Sequence, residues 1–405
     1  MKISKLAILN TLTCLLLISY QKMHAQPTNS TQVTSGNNQF AFDLYKTIKS
    51  NSDNAFYSPF SISVALGMTV EGAKNTTRKE MLKTMHLPED DLIRQTGFRS
   101  LLTAINAPDK QYKLSTANSI WVQSGMTLKP EFETSLINNF KGGLNSLNFK
   151  VEGENCRVPI NDWVANNTNQ KIIDLIPEKS INKFTRMVLT NAIYFKGQWK
   201  KEFSKELTSD QYFHLIDQKS VVVPMMQSLK SDHKYLKTEN AAILEIPYKN
   251  DELSMVLILP DPGKFSAVEP AMSEAQFEIW QKQMTNQTVD VTIPKFKFRQ
   301  KLMLSQKLNE MGMEQAFTDV ADFSGMTKDE PLKISEVIHE AFIEVNEEGT
   351  EAAAATAVIM VRTESKEFED ETLQFRADRP FIFILKHKSK GSILFMGRVM
   401  NPLTN

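Results

Sequence analysis

The chain has 405 residues, of which 41% are hydrophobic and 23% are charged, a balance typical of a soluble globular protein. Lysine and arginine together number 47, as do aspartate and glutamate, so the formal net charge at pH 7 is zero. This composition provides no excess of positive charge for binding nucleic acid or an anionic membrane, and neither partner is expected.

The first 25 residues have the features of an export signal. Lys2 and Lys5 precede a mostly apolar stretch over residues 6–20, and Ala25 supplies a small residue where cleavage is expected. This apolar stretch is too short, and too often interrupted by polar residues, to be expected to span a membrane. The protein is therefore predicted to be secreted or periplasmic. Lipid attachment at Cys14 is the alternative, although the residues before it match a lipidation signal poorly.

Cysteine usage constrains the exported chain further. Removal of residues 1–25 leaves Cys156 as the only cysteine, so an intramolecular disulfide is impossible. The fold must then be held by core packing alone, and Cys156 is expected to be a buried, unreactive thiol.

The remaining sequence predicts an α+β fold in one domain. Residues 26–36 are polar and are interpreted as a flexible leader, which leaves residues 37–405 as the domain. Helical periodicity dominates the first quarter, strand-like runs dominate the last half, and regular βαβ alternation is missing. Helices are expected at residues 38–48, 61–70, 75–85, 91–105, 159–167, 274–284 and 304–311, and strands at 114–122, 187–195, 221–223, 241–247, 255–259, 289–298, 381–385 and 392–399.

The most informative segment is E-E-G-T-E-A-A-A-A-T-A, residues 347–357, which follows an alternating run over residues 338–346. Alanine and glutamate also favour a helix. With a period of two, however, Thr350 and the even-numbered residues after it share an uncharged face, whereas Glu351 falls on the opposite face. Because small uncharged side chains lower the steric cost of entering a sheet, the segment is interpreted as a loop in one state and a central strand in another.

Motifs of catalytic chemistry are missing from the sequence. It contains no G-x-S-x-G, no phosphate-binding loop and no Cys-x-x-Cys. His339 and Glu340 begin an H-E-x-x-H pattern, but Ile343 occupies the second ligand position. The protein is accordingly predicted not to be an enzyme, and no metal or cofactor is expected.

Four landmarks of the serpin family, the last of them in two segments, are resembled in this order along the chain. They are N-A-F-Y-S-P-F-S-I-S at residues 54–63, T-N-A-I-Y-F-K-G-Q-W at 190–199, the run at 347–357, and A-D-R-P-F at 377–381 with F-M-G-R-V at 395–399. The resemblance implies a serpin fold with three sheets, about eight or nine helices and an exposed reactive loop at about residues 346–372. It also implies a mechanism in which a protease cleaves the loop, remains attached as an acyl-enzyme, and is trapped when the loop inserts into the main sheet.

The resemblance assigns roles to individual positions. It implies a polar cluster where the sheet parts, and an aromatic residue and an ion pair, Trp199 with Lys295 and Glu347, where the loop first enters. Gly349 would supply backbone freedom, and Thr350 would be the first inserted side chain to be buried. The cluster is formed by Ser58, Ser61, Asn191 and His339, and the hinge by Glu347, Glu348, Gly349, Thr350, Glu351, Ala352, Ala353, Ala354, Ala355 and Thr356.

The reactive bond has two candidates. Family spacing from Gly349 implies Thr363–Glu364, whereas Arg362–Thr363 is the better substrate for a trypsin-like protease, whose pocket binds a cation. Elastase-like and subtilisin-like enzymes would accept the apolar residues before Arg362. The expected function is irreversible inhibition of serine endopeptidases, with cysteine endopeptidases as a second class of target. The inhibitor is expected to be a monomer. The alternative is a non-inhibitory serpin that acts as a carrier or chaperone.

Overall fold

The computed structural model describes residues 28–49, 53–107, 110–350 and 372–404. Within these ranges helices pack around two hydrogen-bonded sheets, which confirms the α+β class. The α-helices are α1 (Asn29–Ile48), α2 (Pro59–Val70), α3 (Asn75–Thr84), α4 (Asp91–Ile105), α5 (Pro130–Ser135), α6 (Phe149–Glu152), α7 (Arg157–Asn167), α8 (Phe265–Ala271), α9 (Glu274–Gln283) and α10 (Ser305–Glu310). The strands are β1 (Ala55–Tyr57), β2 (Tyr112–Gln123), β3 (Gly143–Leu147), β4 (Met187–Gln198), β5 (Ser204–His214), β6 (Ser220–Lys237), β7 (Ala241–Pro247), β8 (Leu253–Pro260), β9 (Thr285–Pro294), β10 (Phe296–Met303), β11 (Glu336–Asn346), β12 (Gly349–Thr350), β13 (Leu373–Arg376), β14 (Phe381–His387) and β15 (Ile393–Val399).

The six-stranded sheet carries the candidate site. Its order is β10-β11-β12-β4-β2-β3, and β11 also pairs directly with β4. The β11–β4 pair is parallel, whereas β4 is antiparallel to β2 and β11 is antiparallel to β10. A parallel seam therefore runs through the middle of an otherwise largely antiparallel sheet.

The other sheet has nine strands in the order β1-β15-β14-β8-β7-β6-β9-β13, with β5 joined to β6. Three sheets were expected, but the described strands form two continuous ladders. The reason is the length of β6, which pairs with β5 near its start, with β7 near its end and with β9 between them. Two sheets of the expected fold are thus connected through one 18-residue strand.

Buried apolar side chains form two clusters. The larger one fills the space between the sheets and the N-terminal helices. The smaller one lies under α7 and includes Cys156, which is free and buried as expected. Burial raises the pKa of the Cys156 thiol to about 11, so this thiol stays protonated and unreactive near neutral pH.

One boundary differs from the sequence-based expectation. Residues 29–36 were assigned to a flexible leader, but they form the first turns of α1. The Thr28 hydroxyl accepts a hydrogen bond from the Thr31 amide at the helix start. Val33 is fully buried, and a Cβ at Gly36 would lie 2.2 Å from the His86 carbonyl oxygen. Polar composition was misleading here because these small residues allow α1 to pack closely against its neighbours.

No helix in the described part of the chain is long and apolar enough to cross a membrane.

Candidate functional site: the seam between β4 and β11

The seam between β4 and β11 is closed over the first residues of both strands, here called its lower part. It is occupied by β12 near the ends of both strands, here called its upper end. Residues from Glu336↔Val188 to Phe342↔Tyr194 pair directly. Beyond Phe342 the strands separate, and Gly349 and Thr350 lie between them, opposite Gln198 and Gly197 of β4. Thr350 also faces Val345 of β11. The first residues of the hinge are therefore already paired as an antiparallel strand in the middle of the sheet.

Thr350 is fully buried at this position. Its Oγ1 lies 2.7 Å from the hydroxyl of Tyr248. Burial raises the pKa of Tyr248 far above its usual value, so the phenol is a neutral hydrogen-bond partner at any physiological pH. Gly349, the residue before Thr350, lies very close to the backbone of β4, since a Cβ there would lie 2.1 Å from the Gly197 carbonyl oxygen. Glycine is required because the strands leave no room for a side chain.

Trp199 holds the chain that leads to β12. Its ring stacks on Tyr248 with centroids 4.5 Å apart, and its indole nitrogen donates to the Asn346 carbonyl at 2.9 Å. The Trp199 amide donates to the Glu348 carbonyl at 2.9 Å, and the Phe203 amide donates to the Glu347 carbonyl at the same distance. These contacts fix the backbone of residues 346–348 at the upper end of the seam.

Both hinge glutamates form ion pairs. Lys295 Nζ lies 2.9 Å from Glu347 Oε2, and the Thr208 hydroxyl donates to Glu347 Oε1 at 2.9 Å. Burial alone would raise the pKa of Glu347, but the hydrogen bonds from Lys295, the backbone and Thr208 together with the charge of Lys295 outweigh it, and the pKa lies below its ordinary value. Lys205 Nζ lies 2.6 Å from Glu348 Oε1. Two carboxylates with little solvent exposure are thus each paired with a lysine, Lys295 from the junction of β9 and β10 and Lys205 from β5.

The four residues expected where the sheet parts lie together beneath the seam. His339 Nε2 accepts from the Ser58 amide at 3.1 Å, and His339 Nδ1 bonds the Asn191 side-chain oxygen. Asn191 Nδ2 in turn donates to Ser61 Oγ and to Asn118 Oδ1, each at 2.6 Å. Since His339 and Asn191 lie on β11 and β4 and form a register pair, the network crosses the seam.

Ser58 and Ser61 reach this network from the start of α2. Ser58 caps the helix by accepting from the Ser61 amide at 3.1 Å, and its hydroxyl donates to the Leu394 carbonyl at 2.6 Å. Burial lowers the pKa of His339 to about 3, so the imidazole is neutral, with its proton on Nδ1 because Nε2 accepts the Ser58 amide. The network is closed and uncharged.

Some of these residues were identified from the sequence and others were not. The structure brings together the predicted cluster, and it places Trp199, Lys295, Glu347, Gly349 and Thr350 at the upper end of the seam. Asn118, Thr208, Lys205 and Tyr248 were missed, because isolated residues of these types carry no motif. The predicted hinge residues from Glu351 to Thr356, and both candidate reactive bonds at Arg362, Thr363 and Glu364, lie outside the described residues.

Within the described ranges, no group of three or more His, Cys, Asp or Glu side chains could hold a metal ion.

Comparison with known proteins agrees with the fold. A family model described as serpin, serine protease inhibitor, matches residues 35–402. An uncharacterized serpin-like protein of Thermococcus kodakarensis is 41% identical over 366 residues, which cover 90% of this chain and 84% of that protein. The leukocyte elastase inhibitor of Xenopus laevis is 38% identical and covers 90% of this chain and 97% of its own length. The chain therefore belongs to the serpin family.

A solved structure of human thyroxine-binding globulin is also similar. It superimposes with a TM-score of 0.84 and 30% identity, over 93% of this chain and 100% of the other. That protein was solved as a complex with thyroxine. Serpins are inhibitors of proteases and not proteases themselves, and a binding function also occurs among the similar proteins.

Proposed function

We propose that this serpin is a suicide-substrate inhibitor of serine endopeptidases, with cysteine endopeptidases as a second class, and traps the acyl-enzyme by inserting its cleaved loop between β4 and β11. The observation that carries the proposal is β12. Gly349 and Thr350 already occupy the path of an added strand, antiparallel to both neighbours. Residues that follow Thr350 can extend this strand downward only if the seam opens.

The driving force of such an extension is comparable with the stability of a protease domain. A strand of roughly 12 residues that gains about 1 kcal/mol per net hydrogen bond would supply on the order of 10 kcal/mol. A protease domain is stable by only about 5–15 kcal/mol, so an attached enzyme could be distorted at that cost. The small side chains from Ala352 to Ala355 keep the steric cost of insertion low.

The network at His339 would have to rearrange as the strands part. Its bonds between β11 and β4 break when a new strand enters, but its donors and acceptors stay close to the inserted backbone. A buried network that can pair again avoids the cost of unsatisfied polar groups. This supports a role for Ser58, Ser61, Asn191 and His339 in opening as well as in closing the sheet.

Target specificity rests on the reactive bond. We propose Arg362–Thr363, with Thr363–Glu364 as the alternative, and a trypsin-like protease as the principal target. Met360 and Val361 before it suit elastase-like or subtilisin-like enzymes, and one relative is named as an inhibitor of leukocyte elastase. The N-terminal signal supports action outside the cytoplasm, either secreted or in the periplasm, as a monomer.

A carrier function is the second candidate, since a similar structure holds thyroxine. The uncharged face of the hinge from Thr350 to Thr356 favours inhibition, because bulky or charged residues on that face would prevent insertion.

Incubation with trypsin-like and elastase-like proteases, followed by denaturing electrophoresis, tests the proposal. A covalent band at the summed mass less that of the released C-terminal peptide is expected with active protease and not with protease whose catalytic serine has been blocked beforehand. If every active protease either leaves the serpin intact or cleaves it without forming a complex, the inhibitory function is wrong and the carrier function is favoured.

A further inference from the structure

Helix α7 and the segment that follows it, residues 168–176, lie over the seam on the face opposite the His339 network. We call residues 168–176 the strap. Their side chains share a hydrophobic cluster with three strands of the sheet. The buried strand residues in this cluster are Ala117 and Trp121 of β2, Val188 and Ala192 of β4, and Ile338 of β11. The apolar contact is therefore larger on the β2–β4 side of the seam than on the β11 side.

Polar contacts hold the strap to α7 and to β2. The Asn161 side chain of α7 accepts from the Ile176 amide at 2.8 Å and donates to the Ile176 carbonyl at 3.1 Å. Lys113 of β2 donates to the Asn169 side-chain oxygen at 2.9 Å, and the Asn169 amide donates to Ser115 at 3.2 Å. The strap is thus connected to its own helix and to the strands on one side of the seam.

Two cations of β10 hold the strap from the other side. Arg299 Nη2 donates to the Lys171 carbonyl at 2.6 Å, and Lys301 Nζ donates to the Asp174 carbonyl. Both side chains reach across β11 to do so. On the way the Arg299 guanidinium lies 5.9 Å from the centre of the Phe342 ring, and Lys301 Nζ lies 3.3 Å from Glu340 Oε2. Residues 168–176 therefore bridge the seam, with polar anchors on both sides.

We propose that Arg299 and Lys301 are positioning residues that limit the rate of loop insertion by holding the strap to β10. This inference rests on the proposed function. A new strand between β4 and β11 moves them apart by about 4.8 Å, so a strap bound on both sides must release one of them. The larger apolar contact keeps it on β2 and β4. The two cationic anchors on β10 are the contacts that break.

The release also affects the fate of the protease. A trapped acyl-enzyme must be displaced before it deacylates, so the rate of insertion sets the fraction that escapes. Charge-assisted hydrogen bonds are strong, but both anchors are partly exposed to solvent, which weakens them. Loss of each anchor is expected to speed insertion by about three- to tenfold.

Variants can remove the anchors without leaving a buried charge unpaired. Arg299→Met removes the bond to Lys171 and leaves Lys301 beside Glu340. Lys301→Met combined with Glu340→Gln removes the bond to Asp174 and the carboxylate together.

Two further variants serve as controls. Lys297→Met removes a cation from the same face of β10, whose described contacts are Glu344 and the Phe342 ring of β11. Arg299→Lys retains a cationic donor for the Lys171 carbonyl and should restore most of the wild-type rate.

The experiment measures insertion without a trapped enzyme. Each full-length variant is mixed rapidly with excess metalloprotease that cleaves within residues 351–371, and insertion is followed by intrinsic tryptophan fluorescence, to which Trp199 beside Thr350 and Trp121 and Trp163 in the cluster beneath the strap contribute. The Met variants should insert faster than wild type, whereas Lys297→Met and Arg299→Lys should match it. Equal rates of insertion in the wild type and all variants would overturn the inference about the strap but not the proposed function. A wild-type protein that is cleaved but shows no insertion would overturn the proposed function and, with it, the strap.

Discussion

Replacement of Thr350 by arginine should convert the protein from an inhibitor into a substrate. Thr350 is fully buried between β4 and β11, with its hydroxyl 2.7 Å from the Tyr248 hydroxyl and the Tyr248 ring stacked on Trp199. A guanidinium at this position must either lie unpaired among these rings or hold the hinge out of the sheet. In both cases the first step of insertion becomes unfavourable.

The magnitude follows from the burial of the charge. An unpaired buried charge costs about 3–5 kcal/mol, and the lower figure already slows insertion by roughly a hundredfold at 1.4 kcal/mol per factor of ten. Deacylation of the protease is unaffected because it occurs in the enzyme's own active site. The ratio of escape to trapping should therefore rise roughly a hundredfold, so that if about one acyl-enzyme in ten escapes from the wild type, on the order of ten variant molecules would be consumed per protease inactivated.

The assay is a titration of a fixed amount of trypsin-like protease with each variant until activity is lost, together with electrophoresis to detect cleaved inhibitor. Glu351→Arg is the matched control, since its side chain is predicted to face solvent in an extended strand. It should keep a ratio close to that of the wild type. Equal effects of the two substitutions, or an unchanged ratio for Thr350→Arg, would refute the predicted alternation of sides and the need to bury position 350.

Three further outcomes are expected. Arg362→Ala should weaken inhibition of trypsin by at least tenfold while inhibition of an elastase-like enzyme persists, as measured by the rate constants of inactivation; unchanged trypsin inhibition would remove Arg362 from the reactive bond. His339 has a pKa of about 3 in the folded protein against about 6.5 when unfolded, so its contribution to stability is complete above pH 6.5 and falls by roughly 1.4 kcal/mol per pH unit below it. Chemical denaturation of His339→Gln should lack this part of the acid sensitivity seen in the wild type, and identical pH profiles would contradict it. Thr350→Val should lower the free energy that keeps β12 paired by about 1–3 kcal/mol, because the buried Tyr248 hydroxyl loses its partner. Hydrogen exchange at residues 349–350 measures this loss, and the double variant with Tyr248→Phe should recover most of it. Additive losses would show that the two hydroxyls do not interact.

Much of the fold could be predicted from local patterns. Helix α4 and strand β7 have the predicted bounds, since each combines a clear periodicity with recognisable ends. Strand β5 was missed altogether, because most of its side chains are exposed and only Phe213 is fully buried. For β6 only three residues were predicted, since its burial follows two neighbouring sheets and not a simple alternation. Strands with little apolar burial take their conformation from hydrogen bonds to distant partners, which a local pattern cannot reveal.

Only part of the candidate site could likewise be predicted from local sequence patterns. Gly349 and Thr350 were identified because the hinge has an unusual composition, and the structure places them in β12. Tyr248, Thr208 and Asn118 were not identified, because each acts through a residue far away in the chain: 102 positions to Thr350, 139 to Glu347 and 73 to Asn191. Such pairs depend on the tertiary fold, and a single sequence carries no local sign of them.

Thermal unfolding of the protein before and after cleavage within residues 351–371 tests loop insertion most directly. If the cleaved loop extends β12 and gains on the order of 10 kcal/mol, a chain of 405 residues with an unfolding entropy of roughly 2.1 cal/mol/K per residue should melt about 12 °C higher after cleavage. The limited nicking should be confirmed by mass analysis, so that the comparison is between intact and cleaved forms of the same protein. A clear rise in Tm is the predicted result, and an equal or lower Tm after cleavage would contradict insertion as the basis of function.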